Sequence, residues 1–239
     1  AIMKWYQLPD EPKHDRWLIF AVYSAGLSLG VHLLSLLTFP ALAIFYYYKK
    51  YKEHNWLGVI GSAAVGLALI VAIQTLIIVG IPKMWSSFEL LMVNNFGLPF
   101  HSGLIPTFLV VAAVIGFGLR YAHQKNYPML QLIIVGATMV LIGFSTIGVI
   151  VIRANANTPI NMNDPSDAMR LIPYLNREQY GERALFRGPN FDARPIDTEV
   201  QERYGQVDGR YEVVDNKVSY EYQSSDKVFF PRMGDYTQN

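Results

Sequence analysis

Apolar and polar residues divide the chain near residue 152. Four uncharged runs precede that point: Trp17–Tyr48, Trp56–Pro82, Leu104–Leu119 and Asn126–Ile152. An uncharged apolar run of more than about 18 residues is the signal for a helix that crosses a bilayer. The second and fourth runs span about 40 Å each at ~1.5 Å per residue, enough for a hydrocarbon core of about 30 Å with some tilt. The third is short, and it spans if Arg120 reaches to the interface. Small residues inside the runs (Gly58, Gly61, Ala63, Ala64, Gly66, Gly136, Gly143) favour close helix–helix contact.

The first run is too long for one straight helix and contains Gly26, Gly30, His32 and Pro40. The alternative is a broken hairpin turning near Gly30–Leu37. Charge arbitrates, because Lys and Arg concentrate in short cytoplasmic loops. Lys49, Lys50 and Lys52 follow the first run, Arg120 and Lys125 follow the third, and Lys4, Lys13 and Arg16 precede the first. All fall on one side only if Trp17–Tyr48 makes an even number of crossings. The Lys83–Gly103 loop and everything after Ile152 then lie outside. In that loop Met84, Phe88, Leu91 and Met92 share a helical face away from Ser87, Glu89 and Asn94. This predicts a short amphipathic helix in the outer interface, anchored by Trp85 and closed by Gly97 and Pro99.

After Ile152 the pattern changes. Asp164 reads as an N-cap with Pro165 at the first helical position, predicting a helix near 165–180 that is interrupted at Pro173. Residues 181–209 read as loop. Tyr211, Val213, Val218, Tyr220 and Tyr222 alternate about a Val214–Lys217 turn, predicting a hairpin near 211–222. The expected fold class is mainly α: a polytopic helical membrane module of four or five segments (1–152), followed by a small extracytoplasmic α+β region (153–239).

Composition sharpens this division. The first 152 residues hold 9 of the 20 Lys/Arg and 5 of the 19 Asp/Glu, so the remaining 87 carry most of the charge. A formal net charge of +1 with no basic cluster in the polar part argues against nucleic-acid binding. The absence of cysteine excludes disulfides, thiolate metal sites and a cysteine nucleophile. Five histidines without an i, i+4 pair give no support to a metal site, and no cofactor is indicated. Ala1-Ile2-Met3 reads as the end of an apolar run, which suggests an internal stretch of a longer protein.

Several strings together carry a family resemblance: GLSLGVHLL (26–34) followed by Pro40, FGLPFHSG (96–103), RANANTPINMNDPSDA (153–168), YLNREQYGER (174–183) and FFPRM (229–233). In this order they resemble a bacterial family of multi-pass inner-membrane proteins of the protein O-mannosyltransferase type, glycosyltransferases of GT-C architecture. The resemblance implies an enzyme in the bacterial inner membrane. It would take sugar from a polyprenyl-phosphate carrier and pass it to an acceptor, such as a protein, on the periplasmic side. GT-C enzymes typically carry their catalytic acids in the first outer loop, and no matching acidic loop is found here. The alternative is a non-catalytic membrane anchor that presents the outer module to a partner complex.

A lipid-linked donor needs cations for its phosphate and a base for the acceptor hydroxyl. Arg153, at the outer end of the last span beside Asn155 and Asn157, is a phosphate candidate or a snorkelling helix end. His32 is a carrier contact or a histidine bonded to backbone where the helix breaks. Glu89 is a candidate base or part of a solvated helix face, and His101 a substrate contact or a packed loop residue. Asn176 and Arg177 are sugar contacts or an exposed helix end. Tyr204, Tyr211, Tyr220, Tyr222, Phe229, Phe230 and Arg232 form a saccharide platform or the core of a small sheet.

Overall fold

The computed structural model describes residues 1–156, 158–181 and 187–231. Helix α1 (Ile2–Gln7) leads into α2 (Asp15–Leu29) and α3 (Thr38–Lys50), with a 3₁₀ turn at Leu33–Leu37 between the last two. The broken hairpin is therefore present. Its return is fastened at one end, where Lys49 donates to the backbone oxygens of Trp5 and Leu8 and Lys50 pairs with Asp10. Trp5 stacks on Tyr46 and donates its indole N–H to Asp15 at 3.0 Å. The helices α2 and α3 are about 20 Å long, each short of a full hydrocarbon core.

Helix α4 (Trp56–Ala72) runs through a wider π-helical stretch, Ile73–Val79, into α5 (Gly80–Leu90) and a second π turn, Leu91–Asn95. Together they make one continuous 40-residue helix, Trp56–Asn95. Such a helix is about 60 Å long, twice the hydrocarbon core. The first π stretch ends just before Pro82, whose ring and missing N–H prevent regular closure onto the preceding turn. The expected separate interfacial helix is thus corrected: α5 is the projecting continuation of the second span. Its inward face is also different. Pro82, Trp85, Glu89 and Val93 are buried, whereas Leu91 is exposed and Met84, Phe88 and Met92 are half-buried. Tertiary packing of the carboxy-terminal module, not the hydrophobic stripe, selects that face.

Helix α6 (Leu104–Gln124) passes Arg120 without a break, and only Thr107 and Ala122 on it are buried. Helix α7 (Pro128–Phe144) continues through a 3₁₀ turn into α8 (Gly148–Asn155). Trp56–Asn95, Leu104–Gln124 and Pro128–Asn155 are each long and apolar enough to cross a membrane, and the chain is a membrane protein.

Glycines permit the two closest helix crossings. A Cβ on Gly143 would lie 2.5 Å from the Leu27 nitrogen, and one on Gly26 2.6 Å from the Val140 oxygen, so α2 and α7 touch backbone to backbone. A Cβ on Gly66 would meet Pro40 Cα at 2.3 Å, which holds α3 against α4.

Helix α9 (Ala168–Leu175) begins three residues later than expected. Asp167, not Asp164, is its N-cap and accepts from the Arg170 N–H at 3.0 Å. Asp164 instead takes the Arg170 guanidinium and the Asn161 amide. A 3₁₀ turn, Glu178–Tyr180, follows. Strand β1 (Arg187–Pro189) pairs antiparallel with β4 (Lys227–Phe229), and β2 (Pro195–Val207) with β3 (Arg210–Tyr222). The hairpin expected at 211–222 is corrected by this register. Residues 211–222 are one strand, and its partner lies in the segment read as loop. The turn is Asp208-Gly209, at φ 44° and 82°, the backbone that a two-residue hairpin loop demands.

The buried core lies at the end of the bundle away from Lys49 and Lys50. Leu29, Leu36 and Phe39 of the hairpin, Ile73, Ile78 and Trp85 of the long helix and Val140 and Phe144 of α7 pack there with Ala168, Leu171 and Leu175 of α9. The carboxy-terminal module is therefore seated on the ends of the membrane helices.

Candidate functional site

Polar groups converge where α5, the 97–103 loop, α9 and the β2–β3 hairpin meet. Glu89, fully buried, lies at the centre. Its Oε2 accepts from Trp85 Nε1 at 3.2 Å and from the Gly103 N–H at 2.9 Å. Its Oε1 accepts from the His101 N–H and from the Tyr211 hydroxyl, the latter at 3.3 Å. A carboxylate has about four lone-pair directions, and here four donors fill them. Its oxygens are thus satisfied by oriented N–H and O–H dipoles, which an isolated buried carboxyl group would lack.

Local sequence produces this cradle. The i, i+4 spacing of Trp85 and Glu89 puts both on one face of α5. The chain then turns back at Gly97 (φ 66°). His101 holds a left-handed conformation, φ 71°, uncommon outside glycine, and its N–H is directed at Glu89. Gly103 comes so close that a Cβ there would lie 2.5 Å from the Glu89 nitrogen.

Tyr211 arrives from the hairpin. Its backbone N–H donates to Asn94 Oδ1 and its carbonyl accepts from Asn94 Nδ2, both at 2.9 Å, so the Asn94 amide imitates a neighbouring strand. The ring packs edge-on against Phe100 at 5.1 Å. Gln206 Nε2 donates to Tyr211 Oη and to Asp167 Oδ2, each at 3.3 Å. Burial pushes the Tyr211 phenol up; the Gln206 hydrogen bond opposes this, and the charges of Asp167 and Glu89 add to it. Burial likewise raises the Asp167 carboxyl, against the N–H groups of Arg170 and Met169 and the charge of His101. The cluster holds a phenol in its neutral donor form between two buried carboxyl groups.

The other sequence-derived candidates are dispersed. Arg153 is exposed at the end of α8. Asn155 donates to the Val151 and Ser166 carbonyls at 2.9 and 2.7 Å, tying α8 to the approach to α9. His32 caps the 3₁₀ turn of the hairpin, its Nδ1 accepting from the Leu34 N–H at 3.1 Å. Asn176 donates to Glu178 at 3.4 Å, and Arg177, at φ 57°, lies over the Tyr180 ring. Glu178 also takes Arg203 and Lys217 of the hairpin. Phe229 and Phe230 are exposed. Asn157, Arg183, Arg232 and Met233 lie outside the described residues. No group of three or more His, Asp or Glu is placed to hold a metal among the described residues.

The sequence pattern puts Asp167 in the first turn of the expected helix without a site role, gives none to Gln206, and places Tyr211 only in a general aromatic set. Asp208-Gly209 was the available signal, since it puts the hairpin apex immediately before Tyr211.

Two family models match parts of the chain. The protein O-mannosyl-transferase TMEM260 N-terminal domain matches residues 1–55, which hold α1, α2 and α3. A family of unknown function, DUF8416, matches residues 181–239. No curated protein and no solved structure matches the chain. The likeness to protein O-mannosyl-transferases therefore rests on the amino-terminal hairpin, under a quarter of the length.

Proposed function

We propose that the chain is part of a bacterial inner-membrane glycosyltransferase of GT-C type, which uses a polyprenyl-phosphate-linked sugar and transfers it to an acceptor on the periplasmic face. The observation that carries this reading is the match of the hairpin to the O-mannosyl-transferase N-terminal domain. The helices long enough to span a membrane supply the greasy surroundings that a polyprenyl tail requires. In this reading Arg153, exposed at the end of α8, contacts the donor phosphate, and His32, His101, Asn155, Asn157, Asn176 and Arg177 are the remaining candidate contacts. Glu89 could act as a base only by releasing one of its four donors.

The test uses the full-length protein in its own membrane, supplied with labelled polyprenyl-phosphate mannose and assayed for sugar transferred to protein. Arg153→Ala should raise the KM for donor. Unchanged turnover and donor affinity would remove Arg153 from the site.

A second reading is favoured by Glu89 and Asp167. Glu89 accepts from Tyr211 and so joins the outer module to the long helix, and Asp167 accepts from Gln206 and so joins α9 to the β2–β3 hairpin. The chain is then a non-catalytic anchor that presents the outer module to a partner complex. Stable co-purification with other subunits, and no transfer by the full-length protein, would select it.

A further inference from the structure

We propose that the α6–α7 turn holds the phosphodiester head group of an anionic phospholipid. A concavity of about 270 Å³ lies there, lined by Ala122, His123, Asn126, Tyr127, Pro128 and Gln131. Arg120 and Lys125 neighbour these residues in the chain and are exposed, and the sequence has no acidic residue from Leu104 to Asn163.

The cations are not needed to close the helix. The Lys125, Asn126 and Tyr127 N–H groups already take the carbonyls of Tyr121, His123 and Ala122, with Asn126 at φ 54°. Nor are they held by the protein: the side chains of Arg120, His123, Lys125, Asn126 and Gln131 make no hydrogen bond or ion pair among the described residues. Lys49 and Lys50 at the hairpin's end differ, because they are spent on backbone oxygens and Asp10. Uncompensated donors thus gather at one turn.

The occupant follows from the setting. The turn joins two helices able to span a membrane, and Val114, Phe117, Met129 and Ile133 beside it are exposed and apolar. Tyr121 and Tyr127 are exposed and in contact with each other, as aromatic residues at a head-group boundary are. A phosphate on two acyl chains satisfies both the donors and the apolar flanks, whereas a free anion satisfies only the first. The proposal is independent of the glycosyltransferase reading.

The full-length protein, delipidated in detergent, is titrated with phosphatidylglycerol or phosphatidylcholine, and bound lipid is counted by native mass spectrometry. Phosphatidylglycerol should bind in preference, and Arg120→Gln with Lys125→Gln should weaken it about 30-fold while leaving phosphatidylcholine unchanged. Arg120→Lys should retain it. If the double variant fails to fold, Lys125→Gln alone should still cost about fivefold. Equal binding of the two lipids, or undiminished phosphatidylglycerol binding in the variants, overturns the proposal. Competition by soluble glycerophosphoglycerol at the lipid's own concentration does the same, since it would make the ligand a free phosphodiester.

Discussion

Tyr211 and Glu89 stand 122 residues apart in the chain and meet through a hydrogen bond of 3.3 Å, the phenol donating to the carboxylate. Both side chains are buried, so the contact links the projecting end of a membrane helix to a strand of the carboxy-terminal module. A hydrogen bond to a charged group contributes about 1.5–3 kcal/mol. Tyr211→Phe should loosen the hairpin by that amount, read as faster hydrogen exchange in residues 97–103 and 205–213. Unchanged exchange would mean that the Asn94 hydrogen bonds and the ring contact with Phe100 seat the strand without the hydroxyl.

Asp167 predicts a pH dependence. Burial holds its carboxyl above the ordinary value, so the folded protein binds a proton that the unfolded chain has already lost. Stability from this group is complete below the ordinary carboxylate range and declines as pH rises through the window up to the raised value. Thermal midpoints measured across that window should show the decline in the wild type. Asp167→Asn, which keeps an oxygen for the Arg170 N–H, should flatten it.

Gly143 predicts the sensitivity of the α2–α7 crossing. Gly143→Ala puts a Cβ against the backbone of Leu27 and Gly26, with no flexible side chain to yield. Overpacking of this kind costs about 1–3 kcal/mol. Gly148 has open space around the same position, and Gly148→Ala should be neutral or stabilising by up to about 1 kcal/mol. Unfolding of both variants in detergent, under identical conditions, separates the close approach from helix propensity.

The sidedness expected from Lys and Arg is open to single-cysteine labelling, because the chain contains no cysteine. Ser87 and Lys52 are exposed and lie beyond opposite ends of the uncharged run Trp56–Pro82. In intact cells Ser87→Cys should react with a membrane-impermeant maleimide, and Lys52→Cys only after permeabilisation. The reverse pattern would invert the topology.

The sequence by itself determined the helical membrane module. Uncharged runs mark Trp56–Pro82, Leu104–Leu119 and Asn126–Ile152, and Gly30 with Pro40 marks the broken hairpin, because helix length and helix breaking are local properties of the backbone. It also contained the Asp208-Gly209 turn, although the exposed, charged strands around that turn carry little of the alternation by which strands are recognised.

Only the tertiary structure decided which face of α5 turns inward and what becomes of Glu89. On an isolated helix a glutamate between serines and asparagines reads as solvated. Here the 97–103 loop and a strand from far along the chain bring donors to each of its oxygens, so burial costs less than it would for an unpaired charge. The same physics moved the cap of α9 from Asp164 to Asp167. Both aspartates precede a helix, and Asp167 has the added partner Gln206 from the distant hairpin, which local sequence does not place.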